Sequence, residues 1–121
     1  MEIYRIKQIS DLSEVKKDDG VDLCGPLLSY DEEVVLSFKS AMNRIFFTNK
    51  RIIIVQSDEI SKEFFFLFYS RMAAFSFETK KQDEASSMLK LWIIGLGEVT
   101  LEFRQGCDIV GIAELIGSHI K

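Results

Sequence analysis

Proline, cysteine and histidine are scarce in this chain of 121 residues, which has one proline, two cysteines and one histidine. The single histidine, His119, leaves no second imidazole for a metal site or for activating a nucleophile. Near the chain end it is better explained as a residue that complements a helix dipole. We therefore predict a protein that is not an enzyme and has no catalytic residues, metal site or cofactor.

The two cysteines, Cys24 and Cys107, lie far apart in the sequence and show no metal-ligand spacing. Reduced thiols are the default for a cytoplasmic protein. Cys107 precedes a predicted helix start, where the helix dipole can favour a thiolate. The alternative, which we favour, is that Cys107 is a small residue at a packed junction.

The sequence also has no excess of positive charge and no long apolar run. Fifteen Lys and Arg residues against nineteen Asp and Glu give a net charge of −4, which argues against nonspecific nucleic-acid binding. No apolar run reaches the length that a membrane-spanning helix needs. Charges interrupt the apolar residues of 1–7, unlike the apolar core of a signal peptide. We expect a cytoplasmic protein that does not bind nucleic acid.

Apolar residues are abundant, at 47% of the chain, and ten of them are phenylalanine. A chain of this length is expected to form one domain and can bury roughly two-thirds of its unfolded surface. A hydrophobic core can therefore form without disulfides.

The strongest local pattern is Arg44–Val55, in which two apolar runs flank the polar pair Asn49 and Lys50. This pattern is typical of a β-hairpin. Further runs with strand-like composition or alternation lie at 33–39, 63–69, 74–78, 89–94 and 99–103, which makes seven predicted strands.

Two helices are predicted at the ends of the chain. In 8–19, Ile9, Leu12 and Val15 recur every third residue, Ser10 or Asp11 is a suitable N-cap, and Gly20 follows. Near the C-terminus, Asp108 is a suitable N-cap. The apolar stripe behind it consists of Ile109, Ile112, Ala113, Ile116 and Ile120.

Consecutive strands with short connections usually pair antiparallel, and a sheet of this size tends to curl. The sequence therefore predicts a mainly β fold, a partly open barrel of about seven strands whose open end is plugged by the C-terminal helix. We divide the chain into an N-terminal helix and connector, 1–26, and the barrel domain, 27–121.

The stretch Phe47–Ile54 resembles the "FTNKRIII" hairpin of the bacterial pleckstrin-homology-like domains, long catalogued as a domain of unknown function. Glu32–Lys39, Leu89–Gly95 and Glu102–Ile109 resemble other stretches of that family, in the same order. One departure is Leu67-Phe68-Tyr69, where the family pattern carries Ile-Pro-Tyr; the missing proline makes this strand more regular and more apolar. The resemblance implies a pleckstrin-homology-like barrel that forms closed homo-oligomeric rings and has no enzyme activity.

Outward apolar residues on two predicted strands favour self-association. Alternate residues of a strand share one face, so an outward Glu63 or Lys90 would place its alternate neighbours outward too. The candidates for an oligomer interface are therefore Phe65, Leu67, Tyr69, Met88, Trp92 and Ile94. The opposite face leaves Leu89, Leu91 and Ile93 for the core. The alternative is that the N-terminal helix covers one of these outward faces.

A weaker hypothesis is an adaptor that binds an anionic lipid or another anionic ligand through Arg44, Lys50 and Arg51. These bases cluster around the hairpin in the sequence. The alternative, which we favour, is that they are solvated charges that also protect a sheet edge. We therefore favour a self-associating protein-interaction or scaffold module over membrane association.

Overall fold

The computed structural model describes residues 8–79 and 86–119, which form one curled eight-stranded sheet and a C-terminal helix. The elements are β1 (Gln8–Val15), β2 (Val34–Lys39), β3 (Asn43–Thr48), β4 (Arg51–Ser57), β5 (Lys62–Phe68), β6 (Met72–Thr79), β7 (Ser86–Ile93), β8 (Gly97–Arg104) and α1 (Ile109–His119). The strands lie in the order β5-β4-β3-β2-β1-β8-β7-β6. All neighbours are antiparallel except β1 and β8, which are parallel. The mainly β prediction is confirmed.

The prediction of an N-terminal helix is wrong, because Gln8–Val15 is the strand β1. It raises the strand count from the predicted seven to eight. The register against β8 shifts between Ile9 and Leu12, and Asp11 there has a positive φ of 65°. This bulge inserts an extra residue, so Ile9 and Leu12 both point into the core although they are three residues apart. The bulge thus explains why the core residues Ile9 and Leu12 of this strand are three residues apart, a spacing that is also typical of a helix.

The main core fills the inner face of the curled sheet. At its centre, the ring of Phe38 lies edge-on to Phe47 and Phe103, with centroids 5.6 and 4.9 Å apart. Ile112 and Ile116 of α1 are fully buried in the same cluster. Each fully buried side chain of this kind contributes about 1.5–3 kcal/mol. Helix α1 is therefore held to the sheet by its apolar stripe, as predicted.

The start of α1 is fixed by two carboxylates. Asp108 Oδ1 accepts a hydrogen bond from the backbone N–H of Gly111 at 2.9 Å, which is the predicted N-cap. Glu14 Oε1 in turn accepts from the N–H of Asp108 at 2.6 Å. The first turn of α1 is thereby tied to β1. The predicted stripe residue Ile120 lies outside the described residues.

A second, smaller core lies on the outer face of β3, β4 and β5. Phe46, Ile53 and Val55 are buried there together with Cys24 from the connector before β2. The connector makes two short 3-10 turns, Val21–Leu23 and Gly25–Leu27. The connector therefore covers part of the outer face, a role that the sequence analysis gave to the N-terminal helix only as an alternative.

The predicted outward face of the 63–69 strand is wrong. Leu67 and Tyr69 are buried in the main core, and Phe65 packs partly buried against it. The face of the strand was assigned from Glu63. This residue is half-buried near the start of β5 and does not mark the solvent side. The outer face of β5 instead carries Phe64, Phe66 and Phe68.

In contrast, the predicted orientation of β7 is confirmed. Leu89, Leu91 and Ile93 are buried in the main core. Trp92 and Ile94 are exposed, and Met88 is half-buried outside both core clusters.

Candidate functional site

The hairpin motif is built around a buried carboxylate, Glu32, whose side chain is 1% exposed. Arg51 binds it with two nitrogens: Nε lies 3.0 Å from Oε2 and Nη2 lies 3.0 Å from Oε1. The hydroxyl of Thr48 donates to Oε2 at 2.6 Å. Ser29 donates to Oε1 from its backbone N–H at 3.1 Å. We call Ser29, Glu32, Thr48 and Arg51 the Glu32 network.

Burial opposes ionisation of Glu32, but the hydrogen bonds from Arg51, Thr48 and Ser29 outweigh it and lower the pKa of this carboxyl. The adjacent Tyr69 donates from its hydroxyl to the backbone oxygen of Thr48 at 2.7 Å. Burial, and to a lesser extent the charge of Glu32, raises the pKa of Tyr69. The Glu32 network therefore contains an ionised carboxylate, the guanidinium of Arg51 and neutral hydrogen-bond donors. Its hydrogen bonds hold the connector to the hairpin.

The tip of the hairpin is also used structurally. The side-chain oxygen of Asn49 accepts from the N–H of Glu33 at 2.9 Å, and its amide nitrogen donates to the backbone oxygen of Asp31 at 3.0 Å. Lys50 forms an ion pair with Asp31. The hydrogen bond that the Lys50 ammonium donates to Asp31 is the main cause of the lowered pKa of this carboxyl. The residues Thr48 to Arg51 thus tie the connector before β2 to the hairpin.

The three predicted anion contacts do not form one cluster. Arg51 is held by Glu32 and Lys50 by Asp31, at the tip of the β3–β4 hairpin. Arg44 lies at the other end of β3, roughly 13 Å away at the usual rise of a strand, and is 3.7 Å from Asp19. Each of these bases already has an acidic partner.

Arg44 instead lines a different groove, with a volume of about 480 Å³. Lys39 and Arg104 contribute two more positive charges to it. Lys39 lies directly opposite Arg44 across β2 and β3, and opposite Ser13 across β1 and β2. Asp11 lies 3.5 Å from Arg104 in an exposed ion pair. Lys39 and Arg44 meet through the local pairing of β2 with β3. Sequence reasoning missed Arg104, because only the strand order brings β8 next to β1.

A larger groove of about 1100 Å³ lies near the end of β1 and the start of α1. Its carboxylates come from Glu14, Asp18, Asp19 and Asp108. Across residues 8–79 and 86–119, no three His, Cys, Asp or Glu side chains are placed to hold a metal ion.

Both thiols are ordinary packed cysteines in the described structure. Burial raises the pKa of Cys24, whose side chain the connector places in the second core. Burial likewise raises the pKa of Cys107, whose Sγ lies 3.6 Å from the backbone oxygen of Leu12. The alternative that the dipole of α1 holds Cys107 as a thiolate is therefore not supported.

Exposed apolar side chains on the sheet include Val35 on β2, Phe68 on β5, and Trp92 and Ile94 at the end of β7. Trp92 is 36% exposed and Ile94 is 55% exposed. Trp92 lies between Ala74 on β6 and Glu98 on β8. Ala74 is too small to cover the indole, so the outer side of the ring faces solvent.

Phe68 is 46% exposed at the end of β5, on the outer face with Phe66. The guanidinium of Arg51 lies over both rings, 4.8 Å from the centroid of Phe66 and 5.9 Å from that of Phe68. Sequence reasoning missed Phe68 because the face of β5 was assigned from Glu63. The alternation with the core residue Leu67 was the signal that could have found it.

Residues 4–120 match the family described as the bacterial PH domain. The chain belongs to the bacterial PH domain family. The matched range covers nearly the whole chain and includes the strand β1. No helix within the described residues is long and apolar enough to cross a membrane.

Relatives of this bacterial PH domain agree with that assignment. The chain is 32% identical over 97 residues to the uncharacterized protein YjqA of Bacillus subtilis (strain 168), covering 76% of this chain and 78% of that protein. A DUF1696 family protein with a pleckstrin-homology domain from Shewanella loihica PV-4 has a similar structure, with a TM-score of 0.79 at 26% identity over 92% of this chain and 98% of that chain.

A pleckstrin-homology domain from Shewanella amazonensis SB2B gives a TM-score of 0.66 at 26% identity, covering 86% of this chain and 97% of that chain. The resemblance that the hairpin motif indicated is therefore confirmed for family and fold. The Glu32 network gives that motif a physical explanation, because its polar side chains hold the connector against the sheet.

Proposed function

We propose that this bacterial PH domain is a non-catalytic, self-associating protein-interaction or scaffold module. The observation that supports the proposal is the exposed apolar surface on the outer side of the sheet, formed by Trp92 and Ile94 at one place and by Phe68 at another. Tryptophan is enriched among the residues that dominate binding energy at interfaces. Contiguous exposed apolar surface is uncommon on monomers and typical of interaction sites.

The two apolar places lie on different strands, β5 and β7, near the two ends of the strand order. A contact between one place on one copy and the other place on the next copy joins two different surfaces. Such heterologous contacts close into rings when the rotation between copies allows it. A contact of this kind would produce the ring assembly that the family resemblance implies.

A charge placed on the exposed indole position tests this proposal. Trp92→Glu should lower the mass measured by light scattering behind size exclusion, because a buried unpaired carboxylate is strongly unfavourable in an interface. The far-UV circular dichroism spectrum should stay unchanged, since Trp92 lies outside the core.

The matched control is Val110→Glu, which places the same charge on an exposed apolar residue of α1. It should leave the mass at the wild-type value. A wild-type protein that is monomeric, or a Trp92→Glu variant whose mass equals that of the wild type, would contradict the proposal.

The groove lined by Lys39, Arg44 and Arg104 favours a second candidate, an adaptor for anionic lipid or another anionic ligand. Lys39 has no acidic partner among the described residues and lies directly opposite the cationic Arg44, whose own partner is Asp19. An anion between Lys39 and Arg44 would therefore be favourable. Vesicles with anionic lipid should then bind the wild type in low salt and release it in high salt. Lys39→Glu should abolish the binding, and the control Lys62→Glu should not. Absence of salt-sensitive wild-type binding would remove this candidate.

A further inference from the structure

A row of polar residues crosses β8, β1, β2 and β3 on the outer face of the sheet. Each of these residues is next in sequence to a residue buried in the main core, and successive residues of a strand point to opposite faces. In the order of the strands, the row consists of Arg104, Ser13, Lys39 and Arg44. Lys39 is the register partner of both Ser13 and Arg44. All four residues line the groove of about 480 Å³, which we call the basic groove.

Lys39 is the least neutralised charge of the basic groove. It is exposed, and within residues 8–79 and 86–119 no carboxylate forms an ion pair with it. Directly opposite residues of an antiparallel pair have Cβ atoms about 4.5–5.5 Å apart. An anion that lies between Lys39 and Arg44 can therefore accept hydrogen bonds from both side chains.

Arg44 is held in place at the groove by a second contact besides its ion pair. Its Nη1 donates to the backbone oxygen of Asp19 at 3.3 Å and lies 3.7 Å from the carboxylate of the same residue. The side chain is only 25% exposed. A guanidinium has five N–H donors, so these contacts fix its position and leave donors for a ligand.

Arg104 is available to a ligand because its present partner binds it weakly. The ion pair with Asp11 spans 3.5 Å, and the two side chains are 63% and 73% exposed. Ion pairs this exposed contribute little to stability. A ligand anion can therefore compete with Asp11 for the guanidinium.

Two hydroxyl groups complete the donors of the basic groove. Ser13 lies in the row between the strands of Arg104 and Lys39. Ser40, in the turn after β2, also lines the groove. Its Oγ accepts a hydrogen bond from the side-chain nitrogen of Asn43 at 3.1 Å, so its hydroxyl hydrogen can be donated to a ligand.

We propose that the basic groove binds a phosphate monoester. This inference rests on the anionic-ligand adaptor proposed above and specifies the chemical class of its ligand. A phosphate monoester carries a charge of about −1.5 to −2 at pH 7 and three terminal oxygens that accept hydrogen bonds. Three cationic side chains and two hydroxyl groups match this charge and these acceptors. A phosphate diester has one charge and two terminal oxygens, so it uses fewer of the donors.

The size and lining of the groove narrow the class of ester. A volume of about 480 Å³ lies within the range of small-molecule sites, about 300–1,000 Å³, which leaves room for the esterified group. The described residues that line the groove include no aromatic ring on which a nucleobase could stack. The expected ligand is a small polar phosphate ester in solution or the monoester headgroup of a lipid.

Calorimetric titration with glycerol 3-phosphate, a monoester, and with diethyl phosphate, a diester, tests the inference at equal ionic strength. Glycerol 3-phosphate should bind at one site per chain, and diethyl phosphate should bind at least about tenfold more weakly, because charge-assisted hydrogen bonds are lost. Absence of glycerol 3-phosphate binding, or equal affinity for the two compounds, would overturn the inference.

Two variants locate the binding in the basic groove. Lys39→Gln should weaken glycerol 3-phosphate binding about tenfold, and Ser13→Ala, which changes no charge, should weaken it about threefold or more. The matched controls Lys62→Gln and Ser76→Ala lie at exposed positions of β5 and β6 and should bind as the wild type does. A Ser13→Ala variant with wild-type affinity would overturn the site, because only general charge attraction would remain.

Vesicles distinguish the two sources of the monoester and separate this inference from the adaptor. Phosphatidic acid has a monoester headgroup, and phosphatidylglycerol has a diester headgroup. Binding to phosphatidic acid vesicles that glycerol 3-phosphate displaces would support a lipid ligand, and binding of glycerol 3-phosphate without vesicle binding would support a soluble one. Equal binding to both kinds of vesicle, undisplaced by glycerol 3-phosphate, would overturn the monoester site and leave the adaptor standing.

Discussion

At the scale of single residues, Thr48 is the centre of the hairpin motif. Its hydroxyl donates to Glu32 and accepts the backbone N–H groups of Lys50 and Arg51, each at 3.0 Å. One side chain thus joins the tight turn to the buried carboxylate. A motif that reads as a basic loop in the sequence is, in the structure, a set of hydrogen bonds that fix the hairpin to the connector.

Replacing Thr48 with valine, which keeps its shape, should lower the free energy of unfolding by about 1–3 kcal/mol. The Glu32 carboxylate loses one of its hydrogen bonds, and the N–H groups of Lys50 and Arg51 lose their side-chain acceptor. Urea unfolding followed by tryptophan fluorescence measures the loss. Thr79→Val, at an exposed position of β6, should change it by less than about 0.5 kcal/mol. Equal losses in the two variants would contradict the role of the hydroxyl.

The Glu32 carboxyl should make stability depend on pH in acid. Its pKa is lower in the folded protein than its ordinary value, so its stabilising contribution is complete above that ordinary value, about 4.3. The contribution is lost as the pH falls through the lowered pKa, since protonation then favours the unfolded chain.

Unfolding free energies measured between about pH 7 and pH 3 should therefore fall less steeply in Glu32→Gln than in the wild type. Glu32→Gln should also cost about 3 kcal/mol at pH 7, because it leaves Arg51 without its charged partner. Parallel pH profiles for the two proteins would show that Glu32 is not the titrating group.

At the scale of elements, strand β1 shows what the sequence could not provide. The bulge at Asp11 turns Ile9 and Leu12 to one side, and the resulting three-residue spacing is the same as one turn of a helix. Pairing with neighbouring strands decides whether this segment is a strand or a helix. β1 pairs with β2 and with β8, and β8 is distant in the chain. Elements defined by local patterns, such as the β3–β4 hairpin and α1, were predictable.

The solvent-facing side of a strand could be predicted where a charged residue lies in the middle of that strand. Lys90 lies between the core residues Leu89 and Leu91, and the inferred faces of β7 are right. Glu63 lies at the start of β5, where a charge can reach water from the inner side, and the inferred face is wrong. The place of Arg104 in the basic groove depends on strand order, because β8 lies beside β1, so local patterns carried no signal for it.

The two glycines Gly117 and Gly20 should respond in opposite ways to alanine. Gly117 is exposed in α1, and an added methyl group would meet no atom within 4 Å. Gly117→Ala should therefore stabilise the protein by about 0.5–1 kcal/mol, through helix propensity.

Gly20 has a positive φ of 75°, and an added methyl group would lie 2.5 Å from the guanidinium of Arg44. Gly20→Ala should therefore destabilise the protein by about 1 kcal/mol or more. Thermal unfolding of both variants measures the two effects. Shifts of the same sign would contradict the conformations described for these residues.

At the scale of the whole molecule, the proposed self-association makes a prediction about stability. Within residues 8–79 and 86–119, Phe68, Trp92 and Ile94 are exposed in the single copy. Assembly that covers these groups stabilises the folded state by mass action. The midpoint of thermal unfolding should therefore rise with protein concentration over about 1–100 µM, where circular dichroism can follow it. Trp92→Glu should lose most of that dependence, and a wild-type midpoint independent of concentration would contradict assembly in this range.

The most direct test of self-association is the mass of the wild-type protein in solution, measured by light scattering behind size exclusion at about 10 µM. The account predicts one discrete species whose mass is an integer multiple, greater than one, of the chain mass. A single species with the mass of one chain would contradict it.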